Sequence, residues 1–244
     1  MRNILFLIIV TIVFMNMGCA NKRGDKPKVL IFSKTMGYKH ASIPKGIEAI
    51  QKLGRENGFQ VDTTKNATFF TEKNLSQYSA IVFLSTTGDV LNENQETAFE
   101  RYIQSGGGFV GIHAATDTEY DWEWYTKMIG GQFLSHPKGT PNADFIIKDH
   151  SFIATEYFTD TIWNRNEELY NFKKLNPKVN VLITVDESTY EGGENGDFHP
   201  MSWYHEYDGG RVFYTAAGHA DESFEEEKFV KHILGGLLYA IGDN

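Results

Sequence analysis

The chain of 244 residues is 41% hydrophobic and 23% charged, proportions that suit one large globular domain or two small ones. Its formal net charge of −9, with no dense Lys/Arg stretch to offset it, argues against a nucleic-acid partner. The single cysteine, Cys19, excludes an intramolecular disulfide and leaves no thiolate for a catalytic site.

Met1-Arg2-Asn3 is a basic start, and Ile4 to Phe14 is an apolar run broken only by Thr11. The run is shorter than the about 20 apolar residues that a membrane span needs and matches a secretory h-region. It ends in Asn16-Met17-Gly18-Cys19, which resembles the lipobox of bacterial lipoproteins, with Asn16 where Leu is usual. Residues 1–19 are therefore expected to be a lipoprotein signal peptide acylated at Cys19, residues 20–27 a polar tether, and residues 28–244 the domain. On this reading the protein is exported and held by its lipid to a bacterial membrane, on the periplasmic or cell-surface side.

Lys28 to Phe32 is a continuous apolar run, as expected of a strand buried on both faces. Ser42 to Asn57 follows as a helix, with Ile43, Ile47, Ile50 and Leu53 on one face, Pro44 near its start and Gly58 at its end. Gln60 to Thr64 and Ala80 to Leu84 are the next strands. Asn92 and Gln95 have the spacing of a capping box, which opens a helix running to Ser105. Gly106 to Gly108 end that helix, and Gly108 to Ile112 is a fourth strand. Strands alternating with helices predict a single α/β domain on a parallel sheet. Past Tyr120 the pattern is less regular. Asp144–Lys148, Val179–Val185 and Met201–Glu206 read as extra strands, Asp208-Gly209-Gly210 as a turn into a strand over Arg211–Thr215, and Glu222–Ile241 as a closing amphipathic helix.

Ligands of parallel α/β sheets bind outside the carboxyl ends of the strands. The segments there are Ser33 to His40, Ser85 to Asp89, His113 to Asp117 and Ala216 to Asp221, each mixing small residues with His, Asp or hydroxyls. Gly130 to Pro137 adds His136, Glu167 to Tyr170 adds two carboxylates beside an aromatic, and Asp197 to His205 is dense in His and aromatics. His113 stands out, because an imidazole at the end of a buried strand is costly unless it is satisfied or used. His150 is expected in a polar turn and His232 on the outer face of the last helix, neither with a role; His199 is undecided, and Trp203 suits the core as well as a binding platform. A two-His, one-carboxylate metal site is possible, but no HxH, HxxxH or HExxH spacing supports it.

The motifs SKTMGYKHASI, GGGFVGIHAATDT, GGQFLSHP, EELY and RVFYTAAGHA together resemble the trehalose-utilisation (ThuA-like) family over about Lys28 to Gly242. The resemblance implies a flavodoxin-like fold similar to class I glutamine amidotransferases. There His113 stands in the place of the nucleophilic Cys, His219 in that of the catalytic His, and the Gly88 loop in that of the segment supplying oxyanion-hole amides. With no nucleophile at the elbow, glutaminase activity is not expected. The family's association with sugars, including 3-keto glycosides, implies a carbohydrate-active hydrolase, lyase or isomerase. In it His113 and His219 would act as general acid and base, with Asp117 and Glu168 orienting them. Tyr38, His40, Thr87, His136, Tyr170 and Trp203 would contact the sugar. No cofactor is required by this reading, although a divalent metal is compatible with it. The alternatives are a non-catalytic carbohydrate-binding protein on the same fold and a metal-dependent hydrolase using the same histidines.

Overall fold

The computed structural model describes residues 26–242, so the expected signal peptide, Cys19 and most of the expected tether lie outside the described residues. Among the described residues no helix is long and apolar enough to cross a membrane. The first half runs β1 (Lys28–Phe32), α1 (Ile43–Asn57), β2 (Gln60–Thr64), α2 (Glu72–Leu75), β3 (Ala80–Leu84), α3 (Glu93–Gln104) and β4 (Gly108–Ile112). The second half runs α4 (Glu123–Ile129), β5 (Gln132–Ser135), β6 (Asn142–Ile147), β7 (Ile162–Asn166), β8 (Asn171–Lys173), β9 (Asn180–Val185), β10 (His199–Tyr207), β11 (Gly210–Thr215) and α5 (Glu227–Ile241).

Nine strands form one sheet in the order β2-β1-β3-β4-β11-β10-β9-β6-β7, and β5 pairs with β8 apart from it. From β2 to β11 every neighbour is parallel, the 2-1-3-4-5 order of flavodoxin-like folds. From β11 onward the pairs are antiparallel. The expected parallel α/β domain is therefore present, and the extra strands of the C-terminal half form an antiparallel wing on one edge. Strands β3 and β4 are buried at every residue because helices cover both faces, which is why they read as unbroken apolar runs. The capping box at the start of α3 is made, Asn92 accepting from the Gln95 amide and Gln95 from the Asn92 amide. Gly108 lets α5 seat against β4. A Cβ there would stand 2.1 Å from the Ala240 carbonyl oxygen.

Three expectations are corrected. The closing helix starts at Glu227, preceded by a 3₁₀ turn over Asp221–Glu225, because Glu226 is extended and its carboxylate is drawn to Trp163 Nε1 (2.6 Å) and Arg165 Nη1 (3.3 Å). His232 is buried rather than outward, with one ring nitrogen 2.8 Å from the Ala154 carbonyl and the other 2.9 Å from Ser202 Oγ. Trp203 is no binding platform. It is fully buried against Tyr214 and Phe172, and its Nε1 donates to the Ile129 carbonyl at 2.8 Å, so it belongs to the core.

Candidate functional site

Because β1, β3, β4 and β11 run in parallel, the segments following them meet at one edge of the sheet. β4 ends directly in His113, whose φ of +52° lies in the left-handed region that favours glycine. The strained position is fastened by Tyr214, which donates its hydroxyl to the His113 carbonyl at 2.8 Å. The imidazole is fully buried, and its Nδ1 lies 2.7 Å from the Ala216 carbonyl beyond β11. A neutral ring therefore carries its proton on Nδ1 and gives it to that carbonyl, so Nε2 presents a lone pair.

That lone pair faces the other residues of the cluster. His113 Nε2 lies 3.1 Å from His40 Nε2 and 3.2 Å from Glu168 Oε2. His219 Nδ1 lies 3.0 Å from the same Oε2, and His40 Nε2 lies 3.9 Å from it. On the other oxygen, Glu168 Oε1 is 3.4 Å from His136 Nδ1, which is itself 2.8 Å from the Pro137 carbonyl. Burial alone would push the Glu168 carboxyl up, but His113, His219 and His40 outweigh it and hold the group well below the usual carboxylate range. His219 is raised by the Glu168 carboxylate against the effect of burial, whereas burial wins at His40 and lowers it. His40, His113, Glu168 and His219 are the described residues whose donor atoms converge closely enough around nitrogen and oxygen to hold a metal ion here.

The neighbours of the cluster are equally specific. Tyr170 packs its ring 4.5 Å from that of His113 and forms a wall. Tyr38 sits edge-on to His40 at 4.8 Å and is 66% exposed, an aromatic at the mouth of the site. Thr87 does not face the mouth: its hydroxyl donates to the Tyr38 carbonyl at 2.9 Å and accepts from the Gly37 amide at 3.2 Å, so it holds the loop that carries Tyr38. Asp117 forms no ion pair with any of the imidazoles and instead accepts the Tyr120 hydroxyl at 2.5 Å; burial raises its pKa. The carboxylate that meets the imidazoles is thus Glu168, with Asp117 standing beside the cluster. The Gly88 amide, expected to resemble an oxyanion-hole donor, is given to the Asp117 carbonyl at 2.8 Å.

A brace behind the site joins two of the sequence motifs to Arg165, which lies in neither. Glu167 is 1% exposed and accepts from the amides of Gly218 (3.0 Å) and His219 (3.1 Å), fixing the turn that aims His219. Its charge is met by Arg165 Nη2 at 2.9 Å, which also donates to Ser223 Oγ at 2.9 Å. Gly218, at φ +121°, takes a conformation that few other residues would. Arg165 stands on β7, a strand with no clear periodicity, so only the paired Glu167-Glu168 hinted at the brace in the sequence.

Residues 28–240 match the ThuA family, described as trehalose utilisation. A ThuA-like protein of Bacteroides uniformis has a similar structure, with a TM-score of 0.75 and 22% identity over 91% of this chain and 95% of that one. A ThuA-like protein of Parabacteroides merdae gives a TM-score of 0.70 and 18% identity over 89% and 91% of the two chains. A cytoplasmic protein of Salmonella typhimurium gives 0.61 and 12% over 87% and 98%. Curated proteins offer no sequence match.

Proposed function

The chain belongs to the ThuA family, and from that premise we propose that it is a carbohydrate-active enzyme, exported and lipid-anchored, working on a small glycoside or ketosugar. The observation that carries the reading is the meeting of three imidazoles on one buried carboxylate at the carboxyl edge of the sheet, beside an exposed tyrosine. An aromatic at the mouth suits the apolar face of a sugar ring, and the cluster suits polarisation of a sugar oxygen.

The chemistry follows from the positions. Asp117 has a raised pKa and His113, Glu168 and His136 among its charged neighbours, so it is poised to accept a proton from carbon beside a carbonyl. The electron pair of that C–H bond moves into the carbonyl, whose oxygen takes a proton from His219, held toward its charged form by Glu168. The enediol so formed takes the Asp117 proton back at the neighbouring carbon while its hydroxyl returns one to His219, or it expels the oxygen substituent one carbon further on, which leaves with the Asp117 proton as His219 regains its own. No covalent intermediate is needed, which agrees with an elbow that carries an imidazole in place of a nucleophile.

The test is turnover and product analysis on native and 3-keto glycosides. Product formed by the parent and lost in Asp117→Asn supports the reading. Sugar binding without any product would make this a carbohydrate-binding protein and end the enzymatic proposal.

A further inference from the structure

We infer that His40 Nε2, His113 Nε2, His219 Nδ1 and Glu168 Oε2 bind one late first-row divalent metal ion of the Zn²⁺ type. The inference deepens the proposed function and rests on its reading of this cluster as the reacting centre.

The first argument is the count of lone pairs. With the His113 proton committed to the Ala216 carbonyl, a neutral His113 turns a lone pair toward the Glu168 oxygen only 3.2 Å away. Two acceptors at that range repel unless a cation lies between them. Moreover, His219 Nδ1 lies 3.0 Å from the same oxygen without hydrogen-bond geometry, which leaves a buried nitrogen with no hydrogen-bond partner. One ion among the four atoms would satisfy the facing lone pairs of His113, Glu168 and His219 together, in place of the hydrogen bond that His40 Nε2 can make to His113 Nε2.

The second argument is metric. Donors each about 2.1 Å from a single ion stand roughly 3.0 to 3.4 Å apart at octahedral to tetrahedral angles. The observed edges of 3.1, 3.2 and 3.0 Å are of that size. The fourth edge, His40 to Glu168 at 3.9 Å, corresponds to an angle of about 135° at such an ion and leaves room for another ligand, a water or a sugar oxygen. His40 and His113 are buried while His219 is partly exposed, so a ligand would approach from the His219 side.

The third argument is the supporting shell. Metal-binding histidines usually donate their other ring N–H to a carbonyl or carboxylate, and His113 does so through Ala216. Glu168 is likewise steadied through its second oxygen by His136. Three imidazoles and one carboxylate suit zinc and its first-row neighbours, whereas Mg²⁺ and Ca²⁺ seek oxygen ligands. With an ion held there, His219 would serve as a ligand in place of its role as proton donor, the ion would supply the polarisation of the sugar oxygen, and Asp117 would keep its role.

The experiment measures binding without sugar. Chelator-stripped protein is titrated calorimetrically with Zn²⁺ and, separately, with Mg²⁺, and Co²⁺ is added for its visible absorption. One Zn²⁺ per chain, a Co²⁺ spectrum typical of four- or five-coordinate nitrogen and oxygen ligation, and no matching Mg²⁺ affinity are expected. Glu168→Gln and His219→Ala should each weaken Zn²⁺ by ~100-fold or more, and His136→Ala by ~10–100-fold, as for loss of an outer partner. Melting curves establish which variants fold, and His219→Ala, on a surface loop, carries the test if the buried Glu168 variant does not. Zn²⁺ uptake below stoichiometry, or affinity unchanged in folded His219→Ala, overturns the inference. Turnover of sugar by protein that binds no ion overturns it too while leaving the proposed function standing. Stoichiometric Zn²⁺ with no turnover of any glycoside supports the site and removes the enzymatic reading instead.

Discussion

Replacing Glu167 by Gln preserves shape at the back of the site and removes one charge. Arg165 and Glu167 are both nearly inaccessible, and the guanidinium is enclosed by the Trp163 and Phe229 rings at 4.2 and 5.1 Å. Their pairing at 2.9 Å is therefore poorly screened, and Arg165 would keep only the more exposed Glu226 as an acidic partner. Breaking one side of a buried pair costs ~3–5 kcal/mol. At roughly 2–4 °C per kcal/mol for a domain of this size, the melting temperature should fall by ~6–20 °C. The amides of Gly218 and His219 would also lose a charged acceptor, so activity should fall further than stability alone explains. Thermal melts followed by circular dichroism measure the first effect. A double-mutant cycle with Arg165→Met isolates the pair, and the double variant should recover at least ~1 kcal/mol relative to the sum of the singles. A shift under about 2 °C in Glu167→Gln, or strict additivity in the cycle, would show that the brace does not act as argued.

The remaining outcomes are simpler. Trp203→Phe should lose ~1–3 kcal/mol of stability by orphaning the Ile129 carbonyl, with sugar affinity intact, while Tyr38→Ala should weaken sugar binding and leave stability within ~0.5 kcal/mol; the opposite pattern would return Trp203 to the binding surface. His232 is fully buried and its pKa is pushed down from 6.5 to about 4, so the unfolded chain takes up its proton first as pH falls. Stability from this residue is complete above pH 6.5 and is lost as pH falls to about 4, by ~3 kcal/mol in total, and a stability–pH slope in that window identical in parent and His232→Gln would remove the claim. Mass spectrometry of the native N-terminus should find acylated Cys19 as the first residue, and an unmodified Cys19 would end the anchoring proposal.

The first half of the fold could be read from the sequence because its strands are continuous apolar runs and its helices carry caps, signals that lie within a few residues of one another. The wing was less legible. Strands β5, β7 and β8 read QFLS, IWNRN and NFK, short and rich in polar residues, with no apolar run to mark them. The loops they occupy gather His40, His113, Glu168 and His219 at one site in the sequence, but do not show the three imidazoles converging on a single Glu168 oxygen. No short spacing joins them, because each follows a different strand: β1, β4, β7 and β11. Trp203 and His232 were misplaced for one reason: alternation along a single element does not show that the next layer covers its outer face.

The four converging residues come from both halves of the sheet, three from the segments that follow parallel strands β1, β4 and β11 and Glu168 from the β7–β8 connection. This has a consequence for the order of assembly. Contacts between His40 and Glu168 or between His113 and His219 close loops of more than a hundred residues, which form late because the chain must first lose that entropy. A nascent chain that ends before the wing holds His40 and His113 but has neither Glu168, nor the fifth parallel strand β11, nor His219. Competence to bind would then appear only when the last strands dock, and the site would report that the whole chain has folded.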